Sequence, residues 1–396
     1  MTDTTELWTP KEARHLPLGE LHHLLLEHKA RVEDYVVGAD SLRIDSEHPD
    51  TLWAVENQVT IDPDGVTTEV GRRRFFIPEH AHQDLAAKLD VPMKYYRRMM
   101  NEAEGQHGPY LLATNLNYWL EQDSRKFMLR TYSREDGPSY LRAVLSNGYA
   151  RMDDEDMLAA TLVGIRDAGI SPTDVKIDGD LSLHRLRVKI TAPSVGIHVG
   201  ELLGDYRSPF GGQSAAELPM MWAGLEVSNS ETGRGAFTIV PRVVLQVCSN
   251  GMTRPMDIQR RTHIGERLEE GIVEWSQETQ RRTLELIQSK TRDAVRTYLS
   301  TDYLERVAGE MREHAGVRVS QPLVTIEAVG KSTGLTENET NSLVSMFTQS
   351  GDNSALGIGH ALTAVAQTVE DSDRAAEMEA AFWGVVSQAA ALEVRA

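Results

Sequence analysis

The sequence predicts an α+β protein: an antiparallel sheet with a β-β-β-α core, packed by helices and followed by a helical C-terminal region. Three observations carry this. Met221, Ala223, Leu225 and Val227 alternate with other residues, and beyond a polar turn Phe237, Ile239, Val243, Leu245 and Val247 keep the same parity, the pattern of a long hairpin with one face buried. Residues 181–190 ahead of it read as a third strand. Residues 264–299 behind it carry Ile272, Trp275, Thr279, Leu284, Ile287 and Val295 at helical spacing. Past Tyr303 the chain is helical, acidic and richer in small residues. Within the hairpin, Asn229 to Gly235 offer the side-chain bonding and glycines that a turn needs. Pro241 removes a ladder donor, which predicts an edge or a bulge there.

Before the hairpin, residues 16–36 place Leu21, Leu24, Leu25, His28, Val32 and Tyr35 at helical spacing, with His22 and His23 on the surface. Residues 52–61 and 66–77 read as strands around the turn Asp62-Pro63-Asp64-Gly65. Residues 79–89 are helical; His80 and His82, two apart, do not share a helical face and are expected at the surface. Pro92 opens a second helix, where its missing N–H costs nothing, and that helix carries Tyr95, Tyr96, Arg97 and Arg98. A third helix holds Leu112, Leu116, Trp119 and Leu120. Two strands follow over 127–132 and 140–146. Asp153-Asp154-Glu155-Asp156 then crowds carboxylates ahead of a helix over 157–168, where the dipole favours them; they read as a cap, since nothing nearby completes an oxygen-ligand metal site. Residues 175–177 read as a strand and 191–218 as a long loop. Gly316 and Pro322 mark a linker. The expected division is an acidic region over 1–71, a core domain over 72–304 and a helical region over 305–396.

The chain has 396 residues and a formal net charge of −18. Its single cysteine, Cys248, excludes an internal disulfide and a cysteine-based zinc site; it reads as a small buried hydrophobe. No run is apolar enough to span a membrane and the acidic N-terminus is unlike a signal peptide, so a cytoplasmic protein is expected. The charge is uneven. Residues 1–71 hold 5 basic and 15 acidic side chains and residues 302–396 hold 6 and 14, which leaves the middle neutral. Within it lie basic clusters: Arg72-Arg73-Arg74, Lys94 with Arg97-Arg98, Arg125-Lys126 with Arg130 and Arg134, and Arg185, Arg187 and Lys189. Clustering of this kind is what phosphate binding needs, and net charge does not test it. Gly330-Lys331-Ser332 resembles the end of a phosphate-binding loop, but Thr325 stands where that loop needs glycine, so a helical hairpin is expected. No paired-carboxylate or serine-nucleophile signature stands out. The expectation is a protein that is not an enzyme, with no cofactor, no metal and no catalytic residues.

Several strings resemble a family: Arg130-Thr131-Tyr132, the run from Leu141 through Arg142 to Ser146 with Tyr149, Asn229-Ser230-Glu231-Thr232-Gly233, and Val247-Cys248-Ser249-Asn250-Gly251-Met252. They look like those of phage/plasmid-like proteins carrying a domain of unknown function. The resemblance implies a mobile-element origin and a bacterial host cytoplasm. The order strand, strand, strand, long helix is also similar to that of phage single-strand annealing proteins of the RecT and Redβ type. That likeness implies a protein that binds single-stranded DNA in replication or recombination and forms homo-oligomers. The candidate nucleic-acid-binding residues are Arg72, Arg73, Arg74, Arg97, Arg98, Arg130, Tyr132, Arg142, Tyr149, Arg254, Arg260 and Arg261, with Tyr132, Tyr149 and Trp222 as stacking surfaces. The alternative is a non-enzymatic factor that binds a host or phage protein.

Overall fold

The computed structural model describes residues 10–395 apart from 49, 55–57, 62–66, 71–72, 102–107, 135–137, 147–151, 205, 248–250, 254–258, 262–276 and 316. The chain opens with β1 (Ala13–Pro17), α1 (Leu18–Lys29), β2 (Val32–Gly38), β3 (Leu42–Ile44), β4 (Thr51–Ala54), β5 (Gln58–Ile61), β6 (Thr67–Val70) and β7 (Arg73–Phe76). Then come α2 (Glu79–Lys88), α3 (Met93–Asn101), α4 (Gly108–Gln122), β8 (Lys126–Tyr132), β9 (Ser139–Ser146) and α5 (Asp154–Asp167). The central strands are β10 (Lys176–Leu181), β11 (Leu186–His198), β12 (Met220–Asn229), β13 (Phe237–Leu245), β14 (Gly251–Thr253) and β15 (Gln259–Arg261). Six helices close the chain: α6 (Gln277–Tyr298), α7 (Thr301–Ala315), α8 (Pro322–Ser332), α9 (Glu337–Ser350), α10 (Ala355–Thr368) and α11 (Ser372–Arg395). The class is α+β, as the periodicities predict.

The first sheet runs β1-β10-β11-β12-β13-β14, with β15 also on β13, and its pairings are antiparallel. The hairpin pairs Met221 with Leu245 and Val227 with Ile239. Met221, Leu225, Val227, Ile239 and Leu245 are all buried in one apolar cluster with Ile287 and Val295 of α6 and Leu304 and Val307 of α7. Pro241 explains the short outer strands. On the side of β13 away from β12, β15 takes residues 237–239 and β14 takes 242–244. Pro241 falls in the gap between them, where no donor is needed.

The other face of this sheet is polar and also covered. Arg187, Lys189, Glu226 and Arg242 are buried there beneath α11, where Arg187 Nη2 lies 2.7 Å from Asp373 and Lys189 Nζ lies 3.6 Å from Glu379. Residues 322–350 form the expected helical hairpin, α8 and α9. Gly334 takes a positive φ of 67° between them, and Thr336 with Glu339 closes a capping box.

The second sheet runs β3-β4-β7-β9-β8-β2-β5-β6, antiparallel except for β7 with β9. Helices α2, α3 and α4 cover one face, with Tyr35, Phe75, Leu85, Tyr96, Leu112 and Leu116 in its core. The two runs expected as single strands are each split. β5 pairs β6 across the expected turn, but β4 pairs β7 at the other end of the sheet. Four Cα steps from Ala54 to Gln58 reach at most about 14 Å, whereas five strand spacings come to about 24 Å, so the sheet must curl to bring its ends together.

Two further expectations change. The helix expected over 16–36 stops at Lys29, and Val32 and Tyr35 belong to β2, opposite Tyr132 and Leu129. Positions 28, 32 and 35 fit a helical stripe, but the β-branched run Val32, Val36, Val37 gains a ladder partner only in the sheet. Residues 191–218 are not all loop, because β11 continues to His198 past a bulge between Ala192 and Gly196. Cys248 lies outside the described residues. Among the described residues no helix is long and apolar enough to cross a membrane.

Candidate functional site

The turn of the central hairpin is the part of the first sheet that meets the second. Asn229, Ser230, Glu231 and Thr232 are all buried, unusual for a loop of polar residues. Asn229 Nδ2 donates to the Met152 carbonyl at 3.0 Å and to Asp154 Oδ1 at 2.8 Å. Glu231 accepts from the Asp154 backbone N–H at 2.7 Å and from the Arg142 guanidinium. Arg130 donates to Asp153, and its Nε lies 3.7 Å from Asp34. Arg142 stacks 4.3 Å above the Tyr132 ring, whose hydroxyl is 3.1 Å from His28 Nδ1.

The electrostatics follow from this packing. Burial disfavours a charge on Arg130, but Asp34, Glu231 and Asp153 outweigh it and hold the guanidinium protonated. Burial would raise Glu231, but Arg130 and Arg142 pull it below the usual carboxylate range. Asp154 is pushed well up, by burial and then by Glu231. His28 is lowered to about 4, first by burial and then by Arg142. Asp154, Glu155 and Asp156 stand in the first turn of α5, where the dipole favours them as expected, but the cluster also serves tertiary contacts. Asp153 makes no side-chain cap and binds Arg130, while Glu155 and Asp156 hold Lys29 at 2.7 and 2.9 Å.

Next to this joint, Arg234 reaches across to α2. Its Nη2 donates to the His80 carbonyl at 2.6 Å and to Asp84 at 2.7 Å. His80 and His82 are not at the surface. His80 is buried 4.8 Å from the His184 ring, and His82 Nδ1 lies 2.6 Å from the Tyr96 hydroxyl. They do occupy different faces of α2, but the hairpin turn covers one face and α3 the other. Burial lowers them to about 3 and about 4.

The candidate nucleic-acid residues thus separate into groups. Arg130, Tyr132 and Arg142 are inside the joint, where a phosphate would have to displace two buried carboxylates to reach a guanidinium. Arg73, Arg74, Arg97 and Arg98 are at the surface. Arg74 lies 5.7 Å over the Trp53 ring, and Arg97 pairs with the exposed Glu79 at 3.1 Å. The backbones of Arg260 and Arg261 lie on β15 opposite Thr238 and Phe237. Arg72, Tyr149 and Arg254 lie outside the described residues. Trp222 is half-buried on β12 beside Gly196.

Sequence reasoning overlooked the outer face of α4. Leu112, Leu116 and Leu120 fill its inner face completely, which leaves Tyr110, Tyr118 and Trp119 exposed by 66, 57 and 48%. Trp119, expected beside those leucines, points outward instead. On α3, against which α4 packs, Tyr95 is 45% exposed and Lys94, Arg97 and Arg98 are exposed with it. Aromatics set off a leucine stripe that is complete at i, i+4 and i+8 were the available signal.

Among the described residues no group of three or more His, Cys, Asp or Glu side chains is placed to hold a metal ion. Comparison of the chain with protein-family models, with curated proteins and with solved structures finds no match.

Proposed function

We propose that the chain is a single-stranded DNA-binding protein of the annealing type, of phage or plasmid origin, acting in replication or recombination, with its binding surface on the outer face of α3 and α4. One observation carries the placement. Among the described residues, every strongly exposed aromatic side chain except Phe210 lies on these two helices, beside Lys94, Arg97 and Arg98. Single-strand binding combines aromatic platforms, on which bases stack without regard to sequence, with cations that follow the phosphates. The Arg97–Glu79 pair is no obstacle, because both side chains are more than half exposed and such a pair contributes little. An acidic chain can bind in this way when its cations share one face.

The test is fluorescence anisotropy with a labelled oligonucleotide across a salt series. Tyr118→Ala and Trp119→Ala should each weaken binding by about 1–3 kcal/mol, the usual worth of one stacked base. Replacing Arg97 and Arg98 together should flatten the salt slope by about 0.7 per lost phosphate contact. No binding at low salt would end the reading. Binding of a protein partner through the same face, insensitive to salt and lost with Trp119→Ala, would favour the protein-binding factor instead.

A further inference from the structure

The charged face of the first sheet opens, at the hairpin turn, into a cleft of about 590 Å³ between β11–β13 and α11. The strand register orders its lining. At the mouth stand His184, Arg185 and Arg234, with Gly235 under Arg185, where a Cβ would strike the guanidinium. One row in, Arg187, Ser228 and Thr238 lie side by side on three strands. Two residues further, about 7 Å along the strands, the lining reaches Glu226 and Val240. Ala376 and Ala380, one turn apart on α11, form the facing wall. The cleft therefore runs from a cationic mouth to a small apolar slot with a carboxylate beside it.

Its polar groups have hydrogen-bonding capacity to spare. Arg187 Nη1, Arg234 Nε, His184 Nδ1 and Glu226 Oε2 are buried without a hydrogen-bond partner among the described residues. Arg187 is 4% exposed; its Nη2 lies 2.7 Å from Asp373 and its Nε 3.9 Å from Glu226, while Nη1 has no hydrogen-bond partner among the described residues. A buried network left part-satisfied is costly, and a ligand that supplies acceptors to the arginines and a donor to the glutamate would complete it. A dicarboxylate or polyphosphate would meet Glu226, Asp373 and Glu377. Phosphate alone would leave Glu226 and the apolar wall unused.

We propose that this cleft binds a nucleoside monophosphate. The phosphate sits among Arg185, Arg187 and Arg234; the base lies flat against Val240, Ala376 and Ala380 and turns an N–H toward Glu226. The volume is within the range of small-ligand sites. The same phosphate group can come from a free nucleotide or from the 5′ end of a strand. The site is on the first sheet and does not depend on DNA binding at α3 and α4.

Isothermal titration of the full chain with adenosine 5′-monophosphate, with inorganic phosphate and with adenosine tests this. The monophosphate should bind about ten-fold or more tighter than either fragment, since each lacks one half of the contacts. Arg185→Ala and Ala376→Trp should each weaken it by about ten-fold or more, with the melting temperature of the unliganded chain little changed. Tyr118→Ala should leave it alone, which separates this site from the stacking face. Displacement by a 5′-phosphorylated dinucleotide, but not by its unphosphorylated form, would identify strand ends as the source; failure to displace would identify the free nucleotide. Absence of binding at millimolar ligand, equal affinity for inorganic phosphate, or an affinity that both cleft variants leave unchanged would each overturn the proposal.

Discussion

Glu231 shows how a single residue can join two sheets. It accepts from Arg142 on β9 of one sheet while held at the turn of the hairpin of the other, and its carboxylate lies 3.9 Å from Arg130. Removing one partner of a buried ion pair leaves an uncompensated charge, at a cost of about 3–5 kcal/mol. Glu231→Ala should therefore lower the urea midpoint sharply, whereas Arg97→Ala, an exposed change, should stay within about 0.5 kcal/mol. Equal midpoints for the two variants would count against the joint. The buried histidines set a pH dependence. His28, His80 and His82 are lowered from 6.5 to about 4, about 3 and about 4, so the unfolded chain takes up protons that the folded one refuses. Stability is unaffected by them above pH 6.5 and is lost as pH falls through that value toward their folded values. At pH 5 each costs about 2 kcal/mol. Asp84 works in the opposite direction. Burial, against the pull of Arg234, raises it to about 6, so it gains stability as pH falls below 6. Asp154 and Glu226, also raised by burial, act with Asp84, while His360, buried and lowered to about 3, acts with the other three histidines; the expected net sign is that of the four histidines. Urea unfolding at pH 7, 6 and 5 should show a falling midpoint, and a flat profile would contradict the assignment.

At the scale of the element, the hairpin is one cooperative piece because its apolar face has no alternative register. A one-residue slip would turn Leu225, Val227, Ile239 and Leu245 into the charged layer beneath α11. Leu245 is fully buried against the helix layer, and Leu245→Ala should cost about 2–5 kcal/mol from lost transfer energy and a residual cavity. An unchanged denaturant midpoint would show that the face is not packed as described. Helix α4 is organised in the reverse way. Its leucine stripe is satisfied inside, so its outer aromatics are free to be replaced without loss of fold, which is what makes Tyr118→Ala and Trp119→Ala clean probes of binding.

For the whole molecule, the acidic C-terminal helices are structural partners of the first sheet. Helix α11 supplies Glu379 to Lys189 and Arg242, Asp373 to Arg187, and Phe382 and Val386 to the main apolar cluster. Deleting residues 320–396 would take one carboxylate each from Arg187, Lys189 and Arg242, leaving Lys189 with Asp180 and Arg187 with Glu226, and would open that cluster. The truncated chain should lose its cooperative thermal transition rather than gain affinity for DNA. A truncation that melts cooperatively at the full-length temperature would show that the helices are dispensable.

What the sequence determined by itself was local and periodic. The parity of the hairpin, the loss of a donor at Pro241 and the leucine stripe of α4 follow from residues within a few positions of one another. These reappear because backbone geometry turns spacing directly into a face. The candidate site was legible only in part. Arg97 and Arg98 could be read as surface cations from their helix, but Arg130, Tyr132 and Arg142 have the same local look and are interior. Their fate was set by Asp34 and Glu231, far away in the chain and brought to them only when the curled sheet and the hairpin turn meet. His80 and His82 were buried by the same approach of distant surfaces, and residues 32–36 left helix for strand because β8 was there to pair with. Burial of a polar side chain is decided by which distant groups arrive to satisfy it, and spacing along the chain carries no record of that; the tertiary structure alone decided it.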